Sequence, residues 1–156
     1  MSELIPLLQK AFVLELQAVT QYACLHASVR DLRTDVVEEF LNEMAEEAEH
    51  ARLLAQKIFA LSSDIPRFEI EPPVAHTGLI DALKAIKKAE EQGIDNYKAI
   101  LEIADKTEDS ETKILIEQIL LEETNHRDSI TKMLGDASTK VAGVVWNTGN
   151  SLSLIS

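Results

Sequence analysis

A single cysteine, Cys24, is all the thiol in this 156-residue chain, which excludes an intrachain disulfide framework and a multi-cysteine zinc site. Glycine, proline and aromatic residues are also scarce, at five, four and 4%, and this composition favours an all-helical fold. Basic residues are outnumbered by acidic ones, 15 to 27, leaving a net charge of −12. Nucleic acid and anionic membranes both call for a basic surface, so neither is expected as a partner. No apolar run approaches the roughly 18 residues of a membrane span. The opening Met1-Ser-Glu-Leu-Ile-Pro6 lacks a basic stretch ahead of an apolar one and does not read as a signal peptide. The expectation is a cytoplasmic protein with one well-cored domain.

What is present is glutamate in unusual places. Glu15 has Leu8, Ala11, Phe12, Ala18, Val19 and Tyr22 at helical spacing around it. Glu47 has Phe40, Met44, Ala51 and Leu54, Glu90 has Leu83, Ile86 and Ile94, and Glu123 has Ile116, Ile119, Leu120 and Ile130. On a helix these are same-face neighbours, so each carboxylate points into a core. A buried carboxylate must be neutralised, paired or metal-bound. Two of the four open a Glu-x-x-His motif, Glu47 to His50 and Glu123 to His126. Four inward glutamates, two of them in Glu-x-x-His, form the ligand set of a dinuclear metal site in a four-helix bundle.

The rest of the chain fits four helices. The first spans about Glu3 to Arg30 and the second starts at a capping-box-like Asp35-Val-Val-Glu38 and runs to about Leu61. Residues 62–76, with three of the four prolines, form a crossover long enough to traverse a bundle. The third helix covers about Gly78 to Lys106, and Asp109 and Ser110 cap a fourth that ends at Gly135 as a left-handed cap. Two hairpins joined by a long crossover make an all-α, ferritin-like four-helix bundle over 1–135, with 136–156 as a C-terminal tail. The hairpins repeat each other: Glu15 to Tyr22 and Glu90 to Tyr97 both read Glu-x-Gln-x-x-x-x-Tyr. Glu91, by contrast, has Lys84, Lys87, Lys88 and Lys98 for neighbours and belongs to a solvated face. Tyr22 and Tyr97 read equally as core side chains or as redox and hydrogen-bonding support for metals.

Over about residues 3–135 these motifs, in this order, resemble the bacterioferritin branch of the ferritin-like superfamily. The segment Glu15-Leu-Gln-Ala-Val-Thr-Gln-Tyr22 is similar to that family's first-helix signature. The resemblance implies Glu15 and Glu90 as terminal ligands, Glu47 and Glu123 as bridges, and one nitrogen each from His50 and His126. Two iron ions are implied, with manganese possible, since hard carboxylates with two imidazoles suit either. It further implies Fe(II) and O2 or H2O2 as reaction partners and a homo-oligomer, at least a dimer. Haem-binding relatives carry methionine directly after the first bridging glutamate; Ala48 stands there, so no haem is expected. The tail, with Val141-Ala-Gly-Val-Val-Trp146, does not resemble the family's short fifth helix. Three functions remain open: a ferroxidase serving iron storage or detoxification, an oxidase, oxygenase or peroxidase acting on a small substrate, and a metal-free helical interaction module.

Overall fold

The structure, a computed structural model, describes residues 3–29 and 34–150, with backbone alone at 34–35 and 138–150. Helix α1 covers Leu4–Ser28, α2 Thr34–Ser62, α3 Leu79–Lys106 and α4 Ser110–Asn150, and no strand occurs among the described residues. The fold is the all-α, ferritin-like bundle. Hairpin α1/α2 packs on hairpin α3/α4, chiefly through α1 against α3. Tyr22 meets Glu90 while Asn96 meets Leu7, so α1 and α3 run antiparallel. The same holds for α2 and α4, where His50 meets Glu122 and Glu46 meets His126.

Residues 63–78 form the crossover and lie along α1. Gln9 donates to the Arg67 carbonyl, Phe12 meets Phe68 edge-on at 5.7 Å, Gln21 exchanges two hydrogen bonds with Val74, and Ser28 donates to the His76 carbonyl. Because Pro66, Pro72 and Pro73 cannot propagate a helix, the strap stays extended, and its hydrogen-bond needs are partly met by α1 side chains.

Two helix ends use left-handed residues that are not glycine. Ser63 (φ 60°) follows α2, and its amide reaches back to the Phe59 carbonyl. Glu108 (φ 55°) follows α3 in a Schellman arrangement, with the Asp109 amide on the Ala104 carbonyl and the Glu108 amide on Asp105. Asp109 then caps α4, accepting from the Thr112 amide at 3.0 Å and from its hydroxyl at 2.6 Å.

Gly135 is not the expected terminator. No described glycine has a positive φ, and α4 continues to Asn150. A glycine inside a helix costs only about 1 kcal/mol relative to alanine, and nothing in the following Asp136-Ala-Ser-Thr-Lys140 forbids helix. Side chains beyond 137, Trp146 among them, and residues 30–33, including the expected end of the first helix at Arg30, lie outside the described residues.

The core falls into two apolar layers. One gathers Leu4, Leu8, Phe12, Leu54, Ile58, Ile100, Ile116 and Ile119. The other gathers Leu25, Val29, Val36, Phe40, Leu83, Ile86 and Ile130. Between them lies a slab of buried carboxylates and imidazoles: Glu15, Glu43, Glu47, His50, Glu90, Glu123 and His126, each 1–5% exposed.

Candidate metal centre

Each helix supplies what its stripe implies. Glu15 comes from α1, Glu47 and His50 from one turn of α2, Glu90 from α3, and Glu123 and His126 from one turn of α4. The structure brings all six to one point. Two four-residue sets each present one oxygen or nitrogen per side chain within 4.8 Å of the others: Glu15, Glu47, His50 and Glu123, and Glu47, Glu90, Glu123 and His126. Glu47 and Glu123 belong to both. Two overlapping sets sharing two carboxylates are the donor arrangement that two adjacent cations need.

Unmet polar atoms point the same way. Glu15 Oε2, Glu47 Oε1, Glu123 Oε1 and the Nδ1 atoms of His50 and His126 are buried without a hydrogen-bond partner. His50 Nδ1 lies 2.9 Å from Glu123 and 3.5 Å from Glu15, and His126 Nδ1 lies 3.3 Å from Glu47, but none of these contacts has hydrogen-bond geometry. Buried polar atoms are rarely left unpaired. Five in one slab, all facing inward, fit a cation-binding centre.

The outward nitrogens are satisfied. His50 Nε2 donates to Glu122 at 2.6 Å and His126 Nε2 to Glu46 at 2.7 Å, each across the α2/α4 interface. A carboxylate behind an imidazole fixes its tautomer and turns the other nitrogen inward. Glu46 and Glu122 thus have a role that the sequence reading did not assign. The doubled Glu-Glu-x-x-His in 46–50 and 122–126 was the available signal.

Tyr22 and Tyr97 hold the remaining glutamates, each across the α1/α3 interface. Tyr22 donates to Glu90 Oε1 at 2.9 Å, and Tyr97 donates to Glu15 Oε1. Both tyrosines are 0–2% exposed, and burial, together with the glutamate each faces, pushes both phenols up. They are core side chains and partners of the site at once.

Crowding sets the protonation of the slab's own groups. Burial and the neighbouring Glu47 raise the Glu15 carboxyl well above the usual range. Burial and the charges of Glu47 and Glu123 do the same to Glu90. Burial also works against charge on Glu47, but the Glu15 carboxyl and the His126 and His50 imidazoles beside it outweigh burial and hold the group at about 2. Both imidazoles go up despite burial. Glu123, Glu15 and Glu47 raise His50, and Glu47 and Glu46 carry His126 to about 9. Protons on Glu15, Glu90, His50 and His126 therefore balance the slab when no cation is there.

Glu43, one turn before Glu47, is a third residue missed from the sequence. It is 3% exposed, neither oxygen has a hydrogen-bond partner, and burial pushes it up to about 7. A cavity of about 360 Å³ opens from solvent between α1 and α3 onto Glu15, Glu90 and Glu123, with Ala18, Gly93 and the strap residues Val74 and His76 in its wall. Glu91, as its lysine neighbours implied, is exposed and paired with Lys87.

The Ferritin-like domain family matches residues 5–139. The chain belongs to that family. Among solved structures, it is similar to a ferritin-like, diiron-carboxylate protein from Bacillus anthracis strain Ames, at 25% identity and a TM-score of 0.80, over 85% of this chain and 96% of the other. It also shares its fold with the Desulfovibrio desulfuricans bacterioferritin, whose diiron site was captured in different catalytic states, at 24% identity and a TM-score of 0.81, over 88% and 81% of the two chains. No curated protein matches the sequence significantly. No described helix is long and apolar enough to cross a membrane.

Proposed function

We propose that this chain is a ferroxidase: it binds two Fe(II) ions as substrates at Glu15, Glu47, His50, Glu90, Glu123 and His126 and oxidises them with O2 or H2O2. It acts in the cytoplasm as a homo-oligomer, in iron storage or detoxification. The observation that carries this reading is the pair of overlapping donor sets that share Glu47 and Glu123.

The residues divide the work. Glu47 and Glu123 bridge the two positions, while Glu15 with His50 and Glu90 with His126 complete one position each. Glu15 and Glu90 give up their protons as cations enter, and Tyr97 and Tyr22 keep the freed carboxylates aimed inward. Glu122 and Glu46 hold the imidazoles in the tautomer that leaves Nδ1 open. The apolar layers on either side keep bulk water out, so charges in the slab interact more strongly than they would in solvent. Two adjacent Fe(II) ions supply two electrons, which matches the reduction of O2 to H2O2 or of H2O2 to water. Manganese suits the same donors.

The test is Fe(II) oxidation under air, followed at the oxo-ferric absorbance, with gel filtration to confirm folding. Glu47→Ala should slow it by at least the roughly 10–100-fold that losing even an outer partner of a ligand costs. Glu91→Ala, on the solvated face, should leave the rate near that of the parent chain. Equal rates for the two variants would end the reading.

A second reading rests on the cavity between α1 and α3. Its size and its opening onto Glu15 and Glu90 suit a small organic substrate brought to a resident di-iron or manganese–iron pair, in an oxidase, oxygenase or peroxidase. If the chain binds two metals but oxidises free Fe(II) no faster than buffer, this reading replaces the first.

A further inference from the structure

The ligands of the two half-sites, with their tyrosine and outer-glutamate partners, correspond one to one, but the residue one turn before each shared glutamate does not. There Glu43 precedes Glu47, whereas Ile119 precedes Glu123. Both are buried, at 3% and 1% exposure. Ile119 lies in an apolar cluster with Tyr97. Glu43 instead faces the Tyr22 hydroxyl from α1 and His126 from α4, with Glu39 and Glu47 beside it on α2. Tyr22 already donates its proton to Glu90, and Glu39 accepts from Ser129. Neither Glu43 oxygen has a hydrogen-bond partner.

Apart from the shared Glu47, Glu43 faces His126 and Tyr22; His126 belongs to the donor set of Glu90, and Tyr22 is bonded to Glu90. Glu43 itself is in neither set, so it acts as a nearby charge and not as a ligand. A buried, unpaired carboxylate is costly until an opposite charge comes near. Attraction between such a carboxylate and a cation is far stronger in so dry a place than in water.

We propose that Glu43 makes the two metal positions unequal, so that a divalent cation fills the Glu90/His126 position before the Glu15/His50 position. The inference rests on the dinuclear reading above. Glu43 is a positioning residue whose effect reaches the cation through charge and through Tyr22.

The experiment titrates the metal-stripped full-length chain with Mn(II), by calorimetry and by electron paramagnetic resonance. The parent chain should bind two Mn(II) in two steps, the first tighter by about tenfold or more beyond the statistical factor. At one equivalent it should show chiefly the signal of an isolated Mn(II), not that of a coupled pair. Glu43→Gln keeps size and polarity but not charge; it should weaken the first step by about tenfold, leave the second unchanged and move the one-equivalent spectrum toward a statistical mixture. Glu43→Met, which removes the unpaired polar group altogether, should do the same and guards against misfolding of the amide variant. His126→Ala should abolish the tight step and His50→Ala the weak one.

Unchanged isotherms in both Glu43 variants would overturn the proposal, as would equal weakening of both steps or a tight step that survives His126→Ala. Fewer than two Mn(II) per parent chain would remove the dinuclear reading and this inference with it. Unequal steps that persist without Glu43 would overturn the inference alone.

Discussion

Loading the centre with metal must expel protons, and the structure says from where. Without a cation, Glu15 and Glu90 are held protonated above the usual carboxylate range by burial and by Glu47, and His50 and His126 are raised by the carboxylates around them, His126 to about 9. Metal ligands must be deprotonated, and Glu43, raised to about 7, gives up its own proton when a cation binds nearby, so binding two cations at pH 6.5 should release about five protons, one from each of the four ligands and most of one from Glu43. An ordinary solvated pair of histidines would release about one between them at that pH, and ordinary carboxylates none. Calorimetry of Mn(II) binding in buffers of different ionisation enthalpy counts the protons directly. Affinity should rise with pH by about tenfold per unit for each proton displaced.

Stability of the metal-free chain should move the opposite way. His126 rises from an ordinary 6.5 to about 9 in the fold, and this shift is worth about 3 kcal/mol. That stabilisation is fully present below pH 6.5 and is lost as pH climbs through 9. Glu15 and Glu90, also raised, lose their contribution as pH climbs from 4.5 toward their folded values. The metal-free melting temperature should therefore fall between pH 6 and 9, while that of the loaded protein should fall much less. Release of one proton or fewer, or a metal-free melting temperature that rises over this range, would refute the protonation scheme.

Glu46→Gln and Glu122→Gln should each lower metal affinity by about 10–100-fold, through His126 and His50 respectively, without touching the metals; Mn(II) titration of the folded variants checks this, and unchanged affinity would deny the two glutamates their role. Because Ala48 stands where haem-binding relatives carry methionine, the purified chain should show no stoichiometric Soret band, and a bis-methionine haem spectrum would contradict that expectation.

How much of this was legible in the sequence depends on whether the causes lay within one helix. Glu15, Glu47, Glu90 and Glu123 announce themselves because each interrupts an apolar stripe, and a stripe is a property of a single helix. Their partners across helices do not announce themselves. Glu43 has Val36, Phe40 and Met44 near it but also Glu39, Glu46 and Glu47, so its surroundings read as a half-polar edge. Tyr22 from α1 and His126 from α4 face it across helices, and a single helix's stripe does not record them. Glu46 and Glu122 are half-exposed, near 52–53%, and their role depends on histidines from the opposite helix. The same limit applies at helix ends. Ser63 and Glu108 take left-handed conformations that the sequence reading reserves for glycine, while Gly135, the residue that invited a terminator, stays helical. The hairpin repeat, however, gave both helix order and the pairing of half-sites, because it records a symmetry that the fold keeps in the six ligands and their tyrosine and outer-glutamate partners but not at Glu43 and Ile119.

The central claim, two cations side by side between Glu47 and Glu123, is tested most directly by anomalous scattering from crystals of the Mn(II)- or Fe(II)-loaded chain. We expect two peaks roughly 3.5–4 Å apart, one facing Glu15 and His50, the other facing Glu90 and His126. A single peak, or density outside the layer between the two apolar clusters, would contradict the claim.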